Sequence, residues 1–278
     1  MTNDEQPPNQ PSDEEQAQLN RLLMEALAPM PMPATRHDFL RASLLQQAET
    51  AKRKRTGVTT VRRQQGRWQT LKPGIRVKPL WQGNQGNSVL IEFAAGTSLP
   101  PHRHHWLEEG IVLEGNLQMG DLHLGPFDYH ASPAASRHHV IESDTGALAF
   151  LRGTSLGNTS KLVTEVLGGL LPFGKDLSKT VYADDTQAWQ EIGHGVFKKR
   201  LWSDPTVDSF LYRFPAYAKQ AGHSPLLNEE CIILTGEIFL GDCLLQTGDY
   251  QIAPMGNLDA EFYSDVGAML LVRGEKPR

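Results

Sequence analysis

Two histidines and a glutamate are spaced so that one metal ion could contact all three. His102 and His104 stand two residues apart, so on an extended strand both imidazoles project from the same face. Glu108 follows a predicted turn, and a second, paired strand would bring its carboxylate beside the two rings. His138 adds a third imidazole beyond a proline turn. Three imidazoles and one carboxylate suit a divalent transition metal such as zinc, iron, manganese, nickel or copper.

The candidates lie within two longer motifs. Residues 96–115 have the spacing Gly-x5-His-x-His-x3-Glu-x6-Gly, and residues 128–138 begin with Asp and end with His. The two motifs resemble those of the cupin family, and their spacing is most similar to the cupin domain of ChrR-type anti-sigma factors. Phe127 and Ala135 depart from the family pattern, which usually has glycine at both positions. The departures put the turn geometry of the second motif in question, but neither residue is a ligand.

The resemblance implies a small β-barrel with a mononuclear metal in its mouth and four ligands, His102, His104, Glu108 and His138. By strand parity His130 shares a face with His138, so it is expected to line the pocket or to support a ligand. Enzymes that cleave acetylacetone and related dicarbonyls share this branch of the family. The resemblance therefore leaves two functions open, each with a small-molecule ligand. One is an anti-sigma-like regulator that senses a metal or ligand, and the alternative is a mononuclear metal-dependent dioxygenase acting on a dicarbonyl-type substrate.

The overall composition is that of an ordinary globular protein. The chain has 278 residues, of which 39% are hydrophobic and 21% are charged, which allows two domains with their own cores. The formal net charge of -5 argues against a nucleic-acid partner. Cys231 and Cys243 are too few for a disulfide framework. The sequence shows neither a signal-peptide pattern nor a membrane-spanning apolar run, so we predict no membrane contact and a cytoplasmic location.

Residues 1–57 are predicted to form a disordered tail and a helical extension. Ser12 is a suitable N-cap with Glu15 three residues later, and leucines then recur at helical spacing. The extension resembles the connector that follows the zinc-binding domain of anti-sigma factors, although no cysteine precedes Cys231 to supply the ligands of that domain. We expect the helices to pack on a barrel, on a second copy of the chain in a homodimer, or on a protein partner such as a sigma factor.

From Thr59 onward the chain repeats itself at an offset of 121 residues without a gap. About 30% of the aligned positions are identical, which indicates an internal duplication. The matches include Trp68 with Trp189, Glu108–Glu109 with Glu229–Glu230, Asp128–Tyr129 with Asp249–Tyr250, and Arg152 with Arg273. Short β-rich segments between turn signals predict an all-β fold of two tandem cupin jelly-roll barrels. We assign the barrels to residues 58–153 and 180–275, joined by a linker at 154–179 with a short helix at 161–171.

The two repeats differ at the predicted metal positions. At the offset of 121, the four ligand positions become His223, Pro225, Glu229 and Asp259. Proline cannot ligate a metal, and two carboxylates with one imidazole suit zinc poorly. We therefore predict one metal per chain, in the first barrel. The second barrel is expected to serve in packing or to hold a polar pocket formed by His223, Glu229 and Asp259.

Overall fold

The computed structural model describes residues 12–27, 33–54, 56–137, 139–156, 178–185, 189–222, 227–254 and 261–276. The chain divides into two compact units, Met1–Ala51 and Lys52–Arg278. Both repeats lie in the second unit. The helix predicted at 161–171 lies outside the described residues.

Two helices occupy the N-terminal region, α1 at Asp13–Ala26 and α2 at Ala34–Lys54. The predicted capping box is present: the Glu15 backbone N–H donates to Ser12 Oγ at 3.3 Å, and the Ser12 N–H donates to Glu15 Oε2 at 2.8 Å. These bonds satisfy N–H groups that a helix N-terminus leaves without intrahelical partners. Large apolar side chains of both helices are exposed, and Phe39 is 71% accessible. Neither described helix is long and apolar enough to cross a membrane.

The second unit is built from strands, as the sequence predicted. The strands of the first repeat are β1 (Thr59–Val61), β2 (Gln69–Lys72), β3 (Ile75–Trp81), β4 (Asn87–Phe93), β5 (Thr97–Leu99), β6 (Glu108–Gly115), β7 (Leu117–Met119), β8 (Leu122–Leu124), β9 (Tyr129–Ser132), β10 (Ile141–Ser143) and β11 (Ala147–Thr154). Those of the second repeat are β12 (Lys179–Val181), β13 (Trp189–Gly193), β14 (Val196–Ser203), β15 (Val207–Phe214), β16 (Ala218–Gln220), β17 (Glu229–Leu240), β18 (Cys243–Gln246), β19 (Tyr250–Ala253), β20 (Phe262–Ser264) and β21 (Ala268–Glu275).

Each barrel encloses an apolar core between antiparallel strands. The first barrel has a seven-stranded sheet in the order β12-β9-β6-β11-β4-β3-β2 and a four-stranded sheet in the order β5-β10-β7-β8. Its core includes Ile91 and Val112 from the larger sheet and Met119 from the smaller one. In the second barrel the long strand β17 takes part in both halves. The nine strands β13 to β21 and the exchanged strand β1 therefore form one ten-stranded sheet around a separate core. The predicted fold of two tandem jelly-roll barrels is confirmed.

The barrels exchange their first strands. Strand β1 pairs with β19 of the second repeat, and β12 pairs with β9 of the first. Asp249 accepts a hydrogen bond from the Arg63 N–H at 2.8 Å, and Asp128 accepts one from the Ala183 N–H at 2.7 Å. Side chains of one repeat therefore hold the chain that leaves each exchanged strand of the other.

The exchange also corrects the alignment of the repeats. Strands β9, β10 and β11 match β19, β20 and β21 residue for residue at the predicted offset of 121. However, Thr60 lies opposite Gln251, whereas Thr180 lies opposite His130. Since Gln251 and His130 are themselves 121 apart, Thr60 and Thr180 are equivalent at an offset of 120. The gapless alignment is wrong by one residue at the exchanged strands, because the segments that follow them differ in length.

A third core lies between the barrels and contains a buried ionic network. Its apolar residues come from both repeats in equivalent pairs, such as Leu80 with Leu201 and Ile111 with Ile232. Within the network, each of two buried glutamates accepts hydrogen bonds from an arginine and a serine of the other repeat and a tyrosine of its own. The two sets are Glu109 with Arg273, Ser209 and Tyr129, and Glu230 with Arg152, Ser88 and Tyr250. The two sets are related by the offset of 121.

Candidate metal centre

Three of the four predicted ligands lie together in the first barrel. Ligand atoms of His102, His104 and Glu108 are all within 4.8 Å of one another. His104 Nδ1 is 3.7 Å from Glu108 Oε2, and the two imidazole centroids are 5.0 Å apart. The fourth predicted ligand, His138, lies outside the described residues. Its chain neighbour Arg137 forms a backbone bridge with Arg103, between the two clustered histidines.

The spacing of the two histidines predicts a regular strand, but the structure shows none at these residues. Residues 100–104 form only that isolated bridge, because Pro100 and Pro101 have no N–H to donate to a strand ladder. Two backbone hydrogen bonds fix the segment instead. The His104 N–H donates to the Ser136 carbonyl at 3.1 Å, and the Ala135 N–H donates to the His104 carbonyl at 2.8 Å. The second motif thus positions the first.

The turn of the second motif forms although it lacks the usual glycines. Phe127 and Ala135 have φ values of 69° and 67°, in the left-handed region that favours glycine. In the second repeat the position equivalent to Phe127 is Gly248, with φ of 83°. The turn geometry that these two residues put in question is therefore settled by the backbone conformation. The first barrel retains the turn and carries backbone strain at two non-glycine residues.

Burial sets the charge states of the clustered groups. Glu108 begins strand β6 and is 7% accessible. Burial raises the pKa of its carboxyl, and His102, His130 and a hydrogen bond from Thr154 act in the opposite direction. Burial also lowers the pKa of His104 well below its ordinary value, and the nearby histidines add to this effect. His104 is therefore neutral at physiological pH and offers a lone pair, as a metal ligand must.

The donor set fits a divalent cation. Two imidazole nitrogens and a carboxylate oxygen are the ligands that zinc and related transition metals prefer. A buried carboxylate is costly unless a positive charge compensates it, and a bound cation would supply that charge to Glu108. The sequence reasoning missed Thr154, which lines the same cavity as Glu108 and acts to lower the pKa of that carboxyl. Its position on strand β11, across from β6, becomes visible only in the sheet.

An apolar cavity of about 220 Å³ adjoins the cluster. His102, Glu108 and Thr154 form part of its wall, and side chains such as Phe93 and Leu151 form most of the remainder. A small molecule can thus approach the clustered donors while its apolar part contacts hydrocarbon. The arrangement is that of a typical ligand site, with a few polar groups in a largely apolar pocket.

His130 lies close to the centre and is held from the other repeat. His130 is buried, with 8% of its surface accessible. Its Nδ1 is 2.9 Å from Thr180 Oγ1, and its Nε2 is 3.2 Å from Ser132 Oγ. Thr180 belongs to the exchanged strand β12. The second repeat therefore contributes a residue to the surroundings of the first centre. The sequence placed His130 near the pocket but gave no signal for Thr180.

In the second barrel, Glu229 is the described member of the predicted polar pocket. It begins strand β17, as Glu108 begins β6, and it lines a separate cavity. His223, Pro225 and Asp259 lie outside the described residues. The predicted pocket of His223, Glu229 and Asp259 thus stays a prediction.

Comparison with known proteins agrees with the fold. Residues 56–156 match the family described as the ChrR cupin-like domain, and no curated protein matches the sequence. Similar solved structures include a proposed dioxygenase from Nostoc punctiforme, with a TM-score of 0.56 and 15% identity over 78% of this chain and 81% of that chain. An oxalate decarboxylase of Lactobacillus farciminis in complex with formate gives a TM-score of 0.57 and 11% identity, over 79% of this chain and 86% of that chain.

A cupin 2 conserved barrel domain protein from Leptotrichia buccalis is a third similar structure, with a TM-score of 0.51 and 10% identity over 75% of this chain and 92% of that chain. At these identities the likeness establishes the fold. The chain has the fold of two tandem cupin-like barrels. Its first barrel resembles the cupin-like domain of ChrR-type proteins.

Proposed function

We propose that the first barrel binds one divalent transition metal through His102, His104 and Glu108, with His138 as the fourth ligand. The observation that carries this proposal is the convergence of three ligand atoms within 4.8 Å beside a cavity. A bound metal would act as a Lewis acid toward a ligand oxygen. Glu108 and Thr154 line the cavity together, and most of the remaining wall is apolar.

We further propose that the chain is a regulatory protein of the ChrR-like class that lacks the zinc-binding anti-sigma domain. The family match of the first barrel supports this function. The N-terminal helices support it as well, since they present exposed apolar side chains, including Leu22 at 56% and Leu44 at 63% accessibility. Such patches are typical of protein-binding surfaces. A sigma factor or a second copy of the chain is the partner proposed for them, and the cytoplasm is the proposed location.

A mononuclear dioxygenase acting on a small dicarbonyl is the second candidate. The cavity beside the cluster favours it, because two adjacent carbonyl oxygens could approach the ligand atoms while the substrate's alkyl groups contact the apolar wall. Both functions require the same metal and the same cavity. They differ in whether a bound ligand is converted or only detected.

Metal analysis and an oxygen-uptake assay distinguish the two candidates. The full chain, purified without added metal, is expected to contain close to one divalent metal ion, and protein without any metal affinity would overturn the proposal. Oxygen consumption with acetylacetone by the metal-loaded protein would favour the dioxygenase. No oxygen consumption, together with direct binding of a purified sigma factor that depends on residues 12–54, would favour regulation.

A further inference from the structure

The second barrel contains its own cavity, at the position equivalent to that of the first. Its volume is about 190 Å³, and Phe262 and Leu270 form part of a mostly apolar wall. Three polar side chains also line it: Tyr212, Gln220 and Glu229. Glu229 corresponds to Glu108, so the duplication has retained both the cavity and its carboxylate.

At two positions in its wall, this cavity has side chains that can form hydrogen bonds where the first cavity has apolar ones. At the offset of 121, Tyr212 replaces Ile91 and Gln220 replaces Leu99, both of which line the first cavity. Within the described part of the chain, the buried Oε1 of Gln220 has no hydrogen-bond partner. A buried polar atom of this kind is costly unless another molecule satisfies it. The new polar groups are therefore explained if a ligand that can hydrogen-bond occupies the cavity.

Among the described residues, the charges beside the cavity favour a neutral ligand. Lys198 replaces Val77 of the first core, and its Nζ lies 3.5 Å from the ring centroid of Phe210 and 5.3 Å from that of Tyr212. Burial lowers the pKa of Lys198, whereas the nearby carboxylates of Asp208 and Glu229 act to raise it. Since Glu229 already has a cation in its vicinity, a charged ligand would bring an uncompensated charge into an apolar space.

We infer that the second barrel binds a small uncharged molecule with an apolar body and one hydroxyl group. A cavity of about 150 Å³ lined by apolar side chains is enough to hold benzene, so this one has room for a ring with a short substituent. The ligand hydroxyl would accept a hydrogen bond from Tyr212 and donate one to Glu229 or Gln220. Burial, with Glu229 and Asp208, raises the pKa of Tyr212 to about 12, so the phenol keeps its proton at neutral pH and can donate it.

Benzyl alcohol and toluene test the inference, because they differ in the hydroxyl group alone. Binding to the full chain is measured by titration in NMR or calorimetry. We expect one site that prefers benzyl alcohol to toluene. Tyr212→Phe should weaken benzyl alcohol binding roughly three- to tenfold, the usual worth of one hydrogen bond, and leave toluene binding unchanged. An unchanged preference in Tyr212→Phe, or no binding of benzyl alcohol by the parent protein, would overturn the inference.

The first cavity is also apolar, so a matched pair of variants identifies the barrel that binds. Val272 and Leu151 are equivalent residues in the walls of the two cavities. Val272→Phe should fill the second cavity and abolish the hydroxyl-dependent binding, and Leu151→Phe should leave it intact. Loss of this binding in Leu151→Phe and its retention in Val272→Phe would place the ligand in the first barrel and refute the inference.

Discussion

The interface between the barrels and the interiors of the barrels have diverged to different extents. At the interface, all four hydrogen-bonding positions are identical in the two repeats: glutamate, arginine, tyrosine and serine. In the interiors, Lys198 stands where the first barrel has Val77, and Tyr212 stands where it has Ile91. By sequence, Pro225 also stands where the first barrel has His104.

The alternation of side chains along a strand allows this difference. Glu108 and Glu109 are consecutive on β6, so one carboxylate faces the cavity and the other faces the opposite barrel. A substitution at the cavity position leaves the interface position unchanged. The second barrel can therefore differ from the first at the predicted metal positions and in the polarity of its cavity wall while it remains a packing partner for the first.

The largest expected contrast is in metal content. His104→Ala should remove most of the metal while the barrel stays folded, and His223→Ala should leave close to one metal ion per chain. Changes to residues that merely support a ligand cost roughly 10- to 100-fold in metal affinity, so loss of a ligand should cost more. Elemental analysis of both variants, with circular dichroism to check folding, makes the measurement. Loss of half the metal in His223→Ala would mean that both barrels bind.

The ionic network gives the largest expected effect on stability. Arg273 Nε donates to Glu109 at 2.6 Å, and both side chains are buried. Arg273→Met keeps most of the volume but leaves a buried carboxylate without its cation, which costs about 3–5 kcal/mol of unfolding free energy. The equivalent change, Arg152→Met, should cost less, because Arg273 Nη1 also lies 3.5 Å from Glu230 Oε1 and still compensates that carboxylate. Urea denaturation measures both.

A surface ion pair provides the control for that measurement. Arg76 pairs with Glu92 on neighbouring strands, with side-chain accessibilities of 51% and 38%. Arg76→Met should cost less than about 1 kcal/mol, because exposed pairs are screened by water. An equal cost at Arg76 and Arg273 would contradict the importance assigned to burial of the network.

How far the sequence predicts this molecule depends on the type of contact. The capping box at Ser12 and the β-strand content of the second unit could be predicted, because both depend on local residue patterns. The proximity of His102, His104 and Glu108 was also predicted, although their ligation stays a prediction. The strand exchange could not be predicted, since pairing between β1 and β19 depends on packing across the whole unit. The sequence shows that Glu109 recurs as Glu230, but it gave no sign of the buried ion pair. Its partner, Arg273, lies far away in sequence.

Acid should weaken the barrel interface at Glu230. Burial raises the pKa of Glu230, but Arg152, Arg273 and hydrogen bonds from Ser88 and Tyr250 outweigh it, so its pKa lies below the ordinary value of 4.5. On acidification, the Glu230 carboxylate is therefore protonated at a higher pH in the unfolded chain than in the folded one. The stabilisation is complete above about pH 4.5 and is lost as the pH falls through the folded-state value.

The difference between the parent protein and Glu230→Gln isolates this contribution. The parent should exceed the variant in unfolding free energy by about 1.5–3 kcal/mol at neutral pH, as for hydrogen bonds to a charged group. This difference should shrink as the pH falls below 4.5. Urea denaturation across this pH range measures it, with Glu92→Gln as the exposed control. A difference that does not change with pH would refute the assignment.

The smallest expected effect concerns the strained turn of the first barrel. Ala135 is exposed and has φ of 67°, whereas the second repeat has Gly256 at the equivalent position. Glycine adopts this conformation without a Cβ clash, so Ala135→Gly should raise the unfolding free energy by up to about 1 kcal/mol. Ala95→Gly is the control, because Ala95 lies in an exposed turn without positive φ. This change should lower the unfolding free energy by about 0.5–1 kcal/mol. Equal destabilisation of both variants in urea would show that the turn at Ala135 carries no strain.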